Sequence, residues 1–135
     1  MKRLFVLLLA FMSLAFTGCS NGNDDGDVPN NSSKIVGVWF ETAYWDDGAY
    51  SGRPNTWHQW NGYGYVHEFR ADKQYKFYWS VSDYREGKSV ADLSGTYKYD
   101  GEYLTISGGI KQKVTISENG QAMEREQVAR CTKGN

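Results

Sequence analysis

A chain of 135 residues with a formal net charge of −1 has room for one small core and offers no basic surface to nucleic acid. Two cysteines in that length exclude a scaffold built on disulfides, so the fold must rest on packed side chains.

The first element is a leader. Lys2 and Arg3 precede an apolar run from Leu4 to Phe16, and Phe16-Thr17-Gly18-Cys19 closes it with small residues before a cysteine. This resembles a bacterial lipoprotein signal with its lipobox, although Phe16 stands where Leu is usual. The run is too short to cross a bilayer as a helix. The resemblance implies a signal peptide over residues 1–18 and a mature chain that starts at Cys19. That cysteine is then the lipidation site, carrying a thioether-linked diacylglycerol and an amide-linked acyl chain such as palmitate, enough for stable membrane anchoring. Residues 19–33, rich in Asn, Gly, Asp and Ser, read as a flexible tether. Asp24, Asp25 and Asp27 resemble the acidic export signal of Bacteroidota surface lipoproteins, and Ser20 departs from the Asp that retains lipoproteins in the inner membrane. The expected location is the outer membrane, with export to the cell surface and service as linker charge both open for the acidic residues. Without Lys2 and Arg3, thirteen basic side chains face sixteen acidic ones. Cys131 then has no partner for a disulfide and reads as a small buried hydrophobe.

A single domain is expected over residues 34–135. From Ile35 onward proline is confined to Pro54, and no stretch keeps a helical period for three turns. The first strand reads as Ile35 to Thr42, followed by a long connection. Tyr63 to Arg70 and Gln74 to Val81 form a hairpin across Ala71-Asp72-Lys73. Its alternation sets Tyr65, His67 and Phe69 on one face with Tyr75, Phe77, Trp79 and Val81. Four strands follow at about Leu93 to Tyr99, Glu102 to Ser107, Ile110 to Glu118 and Gln121 to Thr132. They turn at Asp100-Gly101, Gly108-Gly109 and Asn119-Gly120. Closing at Asn119-Gly120 sets Ile116 opposite Met123 and Val114 opposite Arg125. Closing at Asp100-Gly101 sets Tyr97 opposite Leu104 and Gly95 opposite Ile106. Both hairpins sort Tyr97, Leu104, Ile106, Val114, Ile116 and Met123 inward and Lys98, Thr105, Thr115 and Glu124 outward. The fold class is all-β: a small antiparallel up-and-down meander barrel of about seven or eight strands, an eighth lying within Ala43 to Gly62 or Ser82 to Ala91.

Gly37-Val38-Trp39 at the head of such a meander resembles the Gly-x-Trp signature of lipocalins. Glu68-Phe69 before Asp72, and Gly95-Thr96-Tyr97 before Leu104-Thr105-Ile106, extend the likeness to the lipocalin-like lipoprotein domains of Bacteroidota. The resemblance implies that Trp39 plugs the closed end of the barrel beneath an arginine of the last strand, with Arg125 and Arg130 as the two candidates.

Rings dominate the remaining chemistry. Tyr44, Trp45, Tyr50, Trp57, Trp60, Tyr63 and Tyr65 crowd one stretch, suited to a lid over the barrel mouth. The ligand-binding candidates are Trp57, Trp60, Tyr65, His67, Tyr75, Phe77 and Trp79. Either they line a cavity for a small hydrophobic or aromatic-stacking ligand, or they fill the barrel solid. In the second case an exposed aromatic loop suits an envelope protein partner or a glycan. Asp46-Asp47 with His58 matches no recognised metal-ligand spacing, so no metal site is expected. There is no Gly-x-Ser-x-Gly, P-loop or dinucleotide fingerprint, hence no expected catalytic residue and no cofactor.

Overall fold

The computed structural model describes residues 31–48, 52 and 55–134. The lipobox, Cys19 and most of the stretch read as a tether lie outside the described residues. Asn31–Ile35 forms a 3₁₀ turn, and its last residue, Ile35, is fully buried.

Nine strands follow: β1 (Gly37–Asp46), β2 (Thr56–Gln59), β3 (Val66–Phe69), β4 (Gln74–Tyr78), β5 (Gly95–Tyr99), β6 (Tyr103–Ile106), β7 (Gln112–Ile116), β8 (Ala122–Arg125) and β9 (Ala129–Lys133). Each pairs antiparallel with its neighbour, and β9 returns to β1, which closes an eight-strand barrel with β2 as the extra strand. β1 is long enough to serve three partners. Its first half pairs with β3, its second half with β2, and its other edge with β9. The register slips at Thr42, between Glu41 and Ala43, so β1 bulges where these pairings change over.

Several expectations are corrected here. The first strand does not stop at Thr42 but runs to Asp46, and the aromatic stretch after it is partly strand, because Tyr44 and Trp45 pair with His58 and Trp57. Aromatic residues suit a pleated surface, and that outweighs the Gly and Asp interruptions that suggested a loop. Ser82 to Ala91 holds no strand. Ser80 caps a short helix there, α1 (Val81–Arg85), by accepting the Asp83 amide at 3.1 Å. The stretch from Gln121 to Thr132 is two strands, broken where Gln127 takes φ +52° and the Val128 amide donates to the Arg125 carbonyl. That break supplies the strand that closes the barrel.

Both hairpin registers sort the faces as expected, though one shifts. Ile116 faces Met123 and Val114 faces Arg125. In the other hairpin Tyr97 faces Ile106 and Tyr99 faces Leu104. The Asp100 carboxylate accepts the amides of Glu102 and Tyr103, which draws Asp100 into the ladder and moves the turn on by one residue. Because each partner moves by two, the inward set is unchanged.

The barrel has two unlike ends. The 3₁₀ turn, the β3–β4 turn, the β5–β6 turn and the β7–β8 turn lie at one end, and Trp39, wholly buried, plugs it. Its indole N–H donates to the Ile35 carbonyl at 2.7 Å. The cation over its ring is neither expected arginine but Lys133, 5.2 Å from the ring centroid. Arg125, late in β8, and Arg130, early in β9, both lie toward the end of the barrel away from the plug. Gly37 is required at this point, because its φ is +138° and a Cβ would strike the Lys133 side chain. Phe69, Tyr97, Tyr99, Leu104 and Val114 are part of the buried core that Trp39 joins. On the outer wall, α1 lays Tyr84 against Phe40 and Tyr78, where Val66 is wholly buried.

Candidate functional site

The inward faces of β1, β3 and β4 meet in a polar network above the plug. Pairing sets Trp39 opposite His67 and His67 opposite Phe77, while Glu41 lies across from Cys131. His67 Nδ1 lies 2.7 Å from the Tyr75 hydroxyl, and His67 Nε2 lies 2.7 Å from Glu41 Oε1. The other Glu41 oxygen accepts the Trp60 indole N–H at 3.3 Å. Burial holds His67 below its ordinary basicity; the hydrogen bond to Glu41 opposes that shift and the charge of Arg125 adds to it. The imidazole is therefore neutral, with one donor and one acceptor nitrogen. A carboxylate can only accept, which assigns the proton to Nε2 and leaves Nδ1 to accept the Tyr75 O–H. The network thus runs in one direction, from Tyr75 to His67 to Glu41, with Trp60 closing it from the other side.

No nucleophile is activated here. Burial raises the Tyr75 hydroxyl well above its usual range, and it pushes the Cys131 thiol up to about 12. Arg125 faces inward, as strand parity requires, and its Nε donates to Gln112 at 2.6 Å. Its charge is felt at His67, Tyr75 and Cys131.

Toward the open end a strip of rings rises from this network. Tyr44 packs on Trp60 at 4.8 Å, Trp60 on Tyr65 at 5.4 Å, and Tyr65 on both Phe77 and Trp79 at 5.3 and 5.4 Å. His58 stacks on Tyr44 and lies 3.3 Å from the Asp46 carboxylate. The rings grow more exposed outward, from Phe77, which is buried, to Trp79, which is 53% exposed. Gly64 makes room for Trp60, since any Cβ there would run into the indole. The irregular turn between β2 and β3 is held by the Trp60 and Gly64 amides, which donate to the Thr42 and Glu41 carbonyls at 2.9 Å each.

Six of the seven ring and network residues picked from sequence, Trp60, Tyr65, His67, Tyr75, Phe77 and Trp79, form one contiguous cluster of contacts. Trp57 does not join it. It lies on the other face of β2, packed on Trp45 at 5.2 Å and under the Arg130 guanidinium at 4.2 Å, which Glu124 holds at 2.9 Å. A depression of about 440 Å³ bordered by Thr42, Thr115, Glu124 and Arg130 opens on that same outward side. Glu41 and Tyr44 were missed. Glu41 alternates with Trp39 along β1, and that parity with the plug was the available signal.

A family model described as a lipocalin-like domain matches residues 35–129. Neither a curated protein nor a solved structure matches the chain.

Proposed function

The chain belongs to the lipocalin-like domain family, and from that premise we propose that it is a non-catalytic binder of a small hydrophobic or aromatic-stacking ligand. The supporting observation is the graded ring strip, Tyr44, Trp60, Tyr65, Phe77 and Trp79, at the end of the barrel opposite the Trp39 plug. Such a bay removes apolar surface from water over several rings, while the polar network at its base fixes orientation. In this reading Cys19 carries the lipid and the barrel works at the outer membrane, spaced from it by a short tether.

Titration of the purified protein against a lipid, haem-like and oligosaccharide panel tests the binding role. A saturable change in tryptophan emission that is lost when Trp79 is replaced by Ala supports it. No saturable response from any member of the panel would refute it.

A further inference from the structure

Glu41 is not explained by folding alone. Glu41 is 4% exposed, in a barrel interior that it shares with His67 and the inward-facing Arg125. Its two hydrogen-bond donors, His67 Nε2–H and Trp60 Nε1–H, are both neutral groups. Among the described residues no lysine or arginine lies within ion-pair distance of it. Holding a buried carboxylate against neutral donors is expensive, and a glutamine or an apolar side chain of similar volume would avoid the cost.

The bond that faces the mouth is also the weaker one. Trp60 reaches Glu41 at 3.3 Å, against 2.7 Å for His67, and it belongs to the irregular turn between β2 and β3. A shift of the half-buried Trp60 ring would open Oε2 to the bay. The rings that continue from Trp60 are Tyr44, Tyr65, Phe77 and Trp79, and aromatic rings attract a positive charge as well as apolar groups. We infer that the bay selects primary amines carried on an apolar or aromatic body, with the ammonium meeting Glu41 Oε2 in place of the Trp60 N–H. The inference rests on the proposed binding function and assigns its ligand class. Arg125 places the opposite charge in the same interior, so an anionic ligand of the same shape is the natural competitor.

Phenethylamine, 2-phenylethanol and 3-phenylpropionate share one ring and differ in charge, and calorimetric titration of the protein with each is the test. The amine is expected to bind at one site about tenfold more tightly than the alcohol, the margin that a charged donor adds over a neutral one on the same carboxylate, with 3-phenylpropionate weakest. Glu41→Gln should bring amine and alcohol to equal affinity. Trp60→Phe keeps an aromatic ring but removes the competing N–H, so it should strengthen amine binding severalfold and widen its margin over the alcohol; it decides the matter if Glu41→Gln fails to fold. Equal affinity for amine and alcohol in the unaltered protein, or an amine preference that survives Glu41→Gln, would overturn the carboxylate's role while leaving a binding bay. A preference for 3-phenylpropionate would overturn it in favour of Arg125. No binding of any of the three, together with no response to the wider panel, would overturn both readings.

Discussion

The buried histidine makes stability depend on pH in a calculable direction. His67 is 2% exposed, and burial holds it below its ordinary value despite the opposing hydrogen bond to Glu41. In the unfolded chain it titrates at about 6.5. Below that pH the unfolded chain takes up a proton that the folded chain refuses, so stability is full above about 6.5 and falls as pH drops toward the folded value. One proton sets a limiting slope of about 1.4 kcal/mol per pH unit, the most that stability can fall for each unit below about 6.5. Urea denaturation at half-unit pH intervals over that range measures it, with His67→Gln as the comparison. His58 is present in both proteins and cancels from the difference, and carboxylates titrate mostly at lower pH. The variant should be less stable throughout and markedly flatter with pH. Parallel curves for the two proteins would refute the assignment of a neutral, proton-refusing imidazole to this network.

Other outcomes follow from the same geometry. Trp39→Ala should cost about 3–5 kcal/mol as a large buried cavity, and Trp39→Phe about 1–3 kcal/mol by leaving the Ile35 carbonyl without its donor, both read from urea midpoints. Cys131 should resist a thiol reagent at pH 8 in the folded protein and react once urea exposes it, since burial both covers the thiol and raises it; rapid native reaction would show an opening of β8 and β9 that the packing denies. Gly64→Ala should displace the Trp60 indole, blue- or red-shifting its emission at a cost of about 1–3 kcal/mol, with an unchanged spectrum as the contrary result. Cys19→Ala should leave the fold intact and move the protein from the detergent phase to the aqueous phase; retention in detergent would count against a lipid anchor.

What the sequence revealed and what it hid divide along the range of the interactions. Period-two alternation and turn residues are local, and they placed His67 and Phe77 on one face and set Ile116 opposite Met123, although Val81, read as part of the same strand, opens α1. The shift at Asp100 shows the limit of turn rules, because a side-chain carboxylate decided between two closures that put the same residues inside. A barrel was expected, but the strand that closes it was not legible, since it depends on a break at Gln127 that no glycine or proline announces. The site divides in the same way. Alternation found the rings of β3 and β4, but Trp57 was misplaced because β2 was read as a lid, and in a strand adjacent tryptophans and histidines take opposite faces. Glu41 shares the parity of Trp39, but that signal alone does not establish burial. A lone acidic residue in an amphipathic strand reads as a solvated face unless the bulge at Thr42, the slender Gly64 and the histidine twenty-six residues later are known to enclose it. Its burial is a property of three distant segments meeting, which is also why a charge there points to a ligand and not to the chain's own folding.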